Sequence, residues 1–556
     1  GGGGDSDSEA VRAPTPDIDI TAPVITLNGD AVINHNFGDA YIDLGAVATD
    51  DVDDEVTVTS TGTVNPNAEG SYTLTYNATD TAGNTATKIR TINIVEPRPF
   101  ITTWKTNNVG DSADDTIVIT TDLTTHEGHY NYTVDWGDNS DITSETGDAT
   151  HTYITPGTYT VKIYGDFPQI YFDRNPNDSN KLLSVEQWGS IEWLSMFQAF
   201  NGCENLVVNA TDAPLLYSTT NMSLMFYGAT NFNQSINHWD VSTIINMENI
   251  FLFARAFNQD ISAWDISSVT NMAGMFYGAA NFNQSIDHWD VSAIINMENM
   301  FRYAKAFNQD ISRWDVGAVT SMAGMFHSAT AFNQDITTWD VSSVTNMYHM
   351  LAGTTDFNQD ISAWDVSSVT NMSGMFESAS IFNQDISAWD VSSVTNMFGM
   401  FVNAAAFNQD ISIWDVSSVT SIKLMFYGAT AFNQDISAWD VSSVIYMQKA
   451  FYRTAAFNQD ISAWDVSSVT NMAGMFGKAT AFNQDISAWD IAGVNNMLEM
   501  LTAATAFSTL NYDALLNSWS QQNVKSGVEF GAASTQYSPS SQAARDILTN
   551  THGWDI

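Results

Sequence analysis

Hydrophobic positions in the central half of the chain repeat every 25 residues. Counted from the Phe of Phe-Asn-Gln as position 1, apolar residues hold positions 1, 5, 8, 10, 13, 16, 19, 20 and 23. One copy shows them as Phe257, Ile261, Trp264, Ile266, Val269, Met272, Met275, Phe276 and Ala279. Trp-Asp recurs from Trp239-Asp240 to Trp489-Asp490 in eleven copies without an insertion, and Phe-Asn-Gln keeps step from Phe232 to Phe482. A fixed period in this range marks a solenoid. Stacked coils share one ladder, and a single extra residue would put every later side chain out of register. Positions 8, 9 and 10 alternate in and out, which predicts a short strand. Positions 13, 16, 19, 20 and 23 step by three and four, which predicts a short helix capped by the preceding Ser or Thr. Each 25-mer is thus expected to be a strand, a turn, a short helical segment and a return. Residues 231–280 and 281–330 are near copies, as expected of an array that grows by duplicating coils that contact only their neighbours.

The flanks read differently. Over 22–96, short alternating runs such as Val24–Leu27, Val56–Val58, Tyr72–Tyr76 and Ile89–Val95 lie between Gly, Asn, Asp and Pro turns, the pattern of a β-sandwich. Residues 97–172 follow the same pattern. Residues 173–230 carry repeat-like fragments and are expected to cap the array, since an open end would expose apolar side chains and strand edges. After Phe507 the pattern breaks into two expected helices, Tyr512–Trp519 and Ser541–Asn550, in a C-terminal cap over 508–556. Residues 1–21 are an acidic linker. The fold class is mainly β: two N-terminal β-sandwich modules, then a leucine-rich-repeat-like solenoid over 231–507 with a parallel sheet plus short helices.

The unit Phe257-Asn258-Gln259-Asp260-Ile261-Ser262, followed by Trp264-Asp265-Ile266, resembles the repeats of BspA-like leucine-rich-repeat surface proteins of bacteria. That resemblance covers about half the chain. It implies a right-handed solenoid with one parallel sheet, exposure at the cell surface and, for some relatives, adhesion to host or neighbouring cells. Asn77 to Thr85 resembles bacterial Ig-like and HYR-type domains. Val134-Asp135-Trp136-Gly137-Asp138, with His151-Thr152-Tyr153, resembles PKD-type modules. Both resemblances imply spacers. Gly1 to Glu9 resembles the linker after the acylated cysteine of a bacterial lipoprotein, so an N-terminal lipid anchor is one expectation and an ordinary leader the other.

Charge narrows the partners. The chain of 556 residues has 18 Lys and Arg against 63 Asp and Glu, a formal charge of −45. That field repels nucleic acid and anionic lipid. It suits secretion into salty water or the gathering of divalent cations. The acidity is spread, with −22 over residues 1–180 and −18 over 231–507. The single cysteine, Cys203, excludes an intramolecular disulfide, a CxxCH haem site and a cysteine-rich zinc site. No apolar run is long enough for a membrane helix.

Two acidic features are candidate sites. If Trp and Val or Ile of positions 8 and 10 point inward, the Asp of position 9 points out. Asp240, Asp265, Asp290, Asp315, Asp340, Asp365, Asp390, Asp415, Asp440, Asp465 and Asp490 then form a column with a rise of about 4.8 Å per coil. A second column, at position 4, has nine Asp from Asp260 to Asp485 with Ser235 and Ser285 in the other two places. These columns either offer a line of carboxylates to a basic partner or calcium, or accept hydrogen bonds from Ser, Thr and backbone N–H groups in the turns. The second feature is Asp50, Asp51, Asp53 and Asp54 with Asp80. Loops at one end of a sandwich would bring these together, and Ca²⁺ wants six to eight oxygens; the alternative is a solvated acidic loop.

The Asn column, Asn233 to Asn483, is expected to be buried and to bond backbone groups of its own coil and the next, and the Phe, Trp and Met columns to form the core. No nucleophile elbow, HExxH or phosphate loop occurs, so no enzyme is expected. Positions 7, 17, 18, 21 and 22 vary while the core does not, which is the pattern of a platform. The leading expectation is an extracellular surface protein that presents the solenoid to a protein or glycan partner. The rival is a self-associating subunit of an extracellular filament or matrix.

Overall fold

The computed structural model describes residues 19–38, 40–126, 128–172, 177–533 and 535–556. The expected linker and lipid anchor fall mainly on residues 1–18, outside the described residues. The chain divides into two compact units, Gly1–Arg98 and Pro99–Ile556.

The first unit is all β. Strands β1 (Val24–Leu27) and β3 (Ala46–Thr49) pair antiparallel. Strands β2 (Val32–Asn36), β4 (Val58–Thr61), β5 (Gly70–Thr79) and β6 (Thr85–Val95) form a sheet in the order β2-β6-β5-β4, with β2 parallel to β6. Alternation along β5 and β6 turns Leu74, Tyr76, Ala78, Ile92 and Ile94 onto Ile25, a small core. Arg90 is fully buried beside it. Its guanidinium donates to the Asp43 carboxylate, the Tyr76 hydroxyl and the carbonyls of Asn28, Asp30 and Gly45, so the buried charge is paired and its donors are used. Burial, and the hydrogen bond it donates to Asp43, push the Tyr76 phenol up to about 12.

The second unit opens with β7 (Phe100–Lys105), β8 (Thr116–Ile119), β9 (Asn131–Asp135), β10 (Thr143–Glu145), β11 (Ala149–Thr152) and β12 (Thr158–Asp166). The sheet order is β10-β9-β12-β7-β13-β14, where β13 (Leu182–Gln187) and β14 (Val207–Val208) lie in the segment expected to cap the array. Strand β13 is antiparallel to β7 and parallel to β14, so one sheet passes from the sandwich-like strands into the coils. One core runs from Phe100 to Trp554.

From Asn221 onward each 25-mer is one coil of a stack. Parallel bridges join position 15 of successive coils, Asn246 to Asn271 to Asn296 and on to Asn496. The predicted helix does not form. Positions 18 and 22 have positive φ in all eleven copies, in non-glycine residues such as Asn249 (55°) and Phe253 (58°) and in glycines such as Gly274 and Gly278. A left-handed residue at every fourth place breaks a right-handed helix into consecutive turns. The freed N–H groups reach the next coil: Met247 donates to Asn271 O (3.0 Å), Asn249 to Ala273 O (2.8 Å), Phe251 to Met275 O (3.0 Å) and Phe253 to Tyr277 O (2.7 Å). Backbone strain of about 1–3 kcal/mol at each non-glycine αL site is offset by this ladder. The strand expected at positions 8–10 is also replaced by turns, with Trp264 N–H donating to Ile261 O and Val269 N–H to Ile266 O. The short parallel pairing sits instead at position 15.

The aromatic columns are core, as expected. Trp364, Trp389 and Trp414 stack at 6.4 and 6.5 Å between ring centroids, and most of the column's indoles donate to a position-5 carbonyl of the coil before, as Trp389 does to Ile361 O at 3.0 Å. The Asn column joins coils as expected, but from half-buried or exposed sites rather than buried ones: Asn383 Oδ1 accepts the Asn408 N–H, and Asn358 Oδ1 accepts the Asn383 N–H, both at 2.9 Å. Helix α1 (Thr509–Trp519), with Ser508 as its N-cap, and α2 (Gln542–Asp546), extended by a wider turn over Ile547–Thr551, close the stack near where they were predicted.

Candidate functional site

Both aspartate columns are exposed, and both build turns. At position 9, Oδ1 of each Asp from Asp240 to Asp490 accepts the backbone N–H two residues on at 3.0–3.1 Å. In Asp240, Asp265, Asp290, Asp340, Asp365, Asp390 and Asp415 it also accepts the Ser hydroxyl there. This is an Asx-turn repeated once per coil. Bonds from the Ser side chain and backbone hold the carboxyls of Asp265, Asp290, Asp340, Asp390, Asp415, Asp440 and Asp465 below the ordinary range. The position-4 Asp residues do the same one turn earlier, as Asp385 does with the Ser387 N–H at 2.9 Å.

The acidic cluster of the first unit is drawn together, with one member the sequence reading missed. Carboxylate oxygens of Asp19, Asp50 and Asp51 lie within 4.8 Å of one another, as do those of Asp19, Asp53 and Asp80; Asp54 belongs to neither group. Asp53 accepts from the Thr81 N–H and hydroxyl (both 2.7 Å), and Asp80 from the Asn84 N–H and amide (both 2.8 Å). Asp50 Oδ1 accepts from the Val52 and Asp53 N–H groups. The other oxygens, Asp50 Oδ2 and Asp19 Oδ2, are buried with no hydrogen-bond partner. Asp19 escaped because it sits at the end of a stretch read as linker.

The outward side of the turn ladder carries positions 17, 18, 21 and 22. In the earlier coils Arg302 lies over the rings of Tyr277 and Tyr303, and His327 faces His349 at 5.2 Å. Burial, with Arg302 and His349 nearby, lowers His327 to about 4. In the later coils the same positions gather cations. Lys449, Arg453 and Lys478 all lie within 5.8 Å of the Tyr452 ring centroid, and Lys423 sits over Phe398. An open depression of about 600 Å³ beside them is lined by Lys423, Gln448, Lys449, Asn471, Asn496 and Glu499, among others.

The molecule thus combines a β unit that carries an acidic loop cluster with a stack of coils whose outer face varies. Residues 25–94 match the family described as bacterial surface protein, Ig-like domain, which points to exposure at a bacterial cell surface. Residues 194–301, 284–380, 354–454 and 434–540 each match the family described as Mycoplasma protein of unknown function, DUF285. Together these matches span more than half the chain, and the protein belongs to that family. No curated protein matches. Among solved structures, a lipoprotein from Bacteroides thetaiotaomicron is similar at 17% identity and a TM-score of 0.12, over 25% of this chain and 60% of that one. Among the described residues, no helix is long and apolar enough to cross a membrane.

Proposed function

We propose that the chain is a non-enzymatic binding protein of the bacterial cell surface. Its repeats form a leucine-rich-repeat-like solenoid that adheres to a protein or glycan partner, and the sandwich modules over 22–96 and 97–172 serve as spacers. The observation that carries this reading is the division of labour within each coil. Positions 1, 5, 8, 10, 13, 16, 19, 20 and 23 are spent on one continuous core, and the Asn and Asp columns on turns and coil-to-coil bonds. Positions 17, 18, 21 and 22 are free to differ from coil to coil. Fluorescently labelled full-length protein should bind host or neighbouring bacterial cells saturably, with unlabelled protein competing. Absence of saturable binding to either, with fibres in negative-stain micrographs, would replace this reading with that of a filament subunit.

A calcium ion at the acidic end of the first unit is a second proposal, supported by the two buried, unpartnered oxygens of Asp19 and Asp50. Asp51, Asp53 and Asp80 would complete an oxygen set that suits this hard cation. Calorimetry should show the first unit's transition rise with calcium, relative to chelator, and Asp19→Asn should abolish the rise. An unchanged transition would count against the site.

A further inference from the structure

We propose that the outer face of the coils spanning 398–499 binds an acidic sugar, a uronate carboxylate within a glycan. The inference rests on the binding-protein reading above and names its ligand class. Lys423, Lys449, Arg453 and Lys478 are four of only eight basic residues in 231–507. Lys449, Arg453 and Lys478 all approach one ring, at 5.3, 5.8 and 5.6 Å from its centroid. Any two of them are therefore at most about 11 Å apart, a range over which a Debye length of about 8 Å at physiological salt screens them only in part. One aromatic ring seats one cation well; three crowd it. In a chain with 63 acidic groups, none of these four cations forms an ion pair among the described residues. Unpaired like charges held this close are stabilised by an anion placed between them.

The adjoining depression says what else that anion carries. Gln448 Oε1 is buried with no hydrogen-bond partner, so it lacks a donor. Asn471 and Asn496, on successive coils, add amides to the same lining, and Glu499 is the one carboxylate there. Cations that want a negative group beside an acceptor that wants an O–H, with amides at coil spacing, match a hydroxylated carboxylate. A DNA backbone brings no hydroxyl and one charge per about 1.7 Å, which the net charge of the chain repels. A uronate chain is far more sparsely charged, so screening leaves the local patch in control.

The test uses the full-length chain in titration calorimetry at physiological salt. The probes are an alginate hexasaccharide, a hyaluronan hexasaccharide, the methyl ester of the former, and hexaglutamate. The variant is Lys449→Asn/Arg453→Asn/Lys478→Ser. Asn249 and Asn299 already occupy position 18, and Asn403, Ser328 and Ser378 position 22, all with positive φ, so these side chains suit the backbone. At least one uronate hexasaccharide should bind, and which one does separates a microbial from a host source. The methyl ester and the variant should each lower affinity by at least about tenfold, with an unchanged melting profile for the variant. Equal binding by the variant, or tighter binding of hexaglutamate, overturns the proposal, the latter in favour of an acidic peptide. If the uronates do not bind while labelled protein still binds cells, this proposal falls and the binding reading stands. If neither binds, both fall.

Discussion

The first unit and the coil stack of the second satisfy their polar groups in opposite ways. The first uses a single device. Arg90, 0% exposed, is held by one carboxylate, one phenol and three carbonyls gathered from three parts of the chain. The coil stack of the second unit instead repeats two devices eleven times, an Asn at position 2 and an Asp at position 9 of every coil. A unique network concentrates risk in one residue, whereas a repeated one spreads it along the stack.

Trp389→Ala should have the largest local effect in the stack. It removes a buried indole packed between Trp364 and Trp414 and its hydrogen bond to Ile361, a cost of about 3–5 kcal/mol. Calorimetry should show the stack's transition fall while that of the first unit stays in place. Arg90→Met attacks the other side of the comparison. It takes the guanidinium from the carbonyls of Asn28 and Asp30 and from Asp43, which keeps the Tyr76 hydroxyl, at about 1–3 kcal/mol. With so small a core, the first unit should lose its transition while the stack melts as before. Asn383→Ala removes one acceptor between two coils and should cost only about 1 kcal/mol, read as a small shift in denaturant midpoint.

The smallest effect is that of pH. The carboxyls of Asp265, Asp290, Asp340 and Asp390 are held below their ordinary range by the Ser bonds. Each therefore contributes stability that is present above the unfolded value near 4 and is lost as pH falls through the lower folded value. The stack's melting temperature should decline only below about pH 4. Asp390→Asn should flatten that decline slightly.

Much of this was legible in the chain. The unbroken period exposed the stack, its core columns and the Asn bridges, and the run from Tyr512 to Trp519 announced α1 though not its start at Ser508. That turns replace the expected strand at positions 8–10 and the expected helix after it was not legible from hydrophobic spacing, because consecutive turns can bury the same side chains. The signal lay in the glycines: Gly274, Gly324, Gly374 and Gly474 at position 18, with Gly278, Gly353 and Gly428 at position 22, mark left-handed backbone. Asp19 was hidden by distance, about 30 residues or more in sequence from the carboxylates it meets. Lys449, Arg453 and Lys478 were hidden by the period itself, since only coiling places residues 449, 453 and 478 around one ring.

Cysteine cross-linking tests the stacking of coils most directly. Ala363 and Ala388 occupy the exposed position 7 of adjacent coils, and Ala438 the same position two coils further on. Ala363→Cys with Ala388→Cys should oxidise readily to an intramolecular disulfide, because in-register coils bring their α-carbons within bridging range. Ala363→Cys with Ala438→Cys should not. Equal cross-linking of both pairs, or of neither, would contradict a stack in which each 25-mer lies on the one before it.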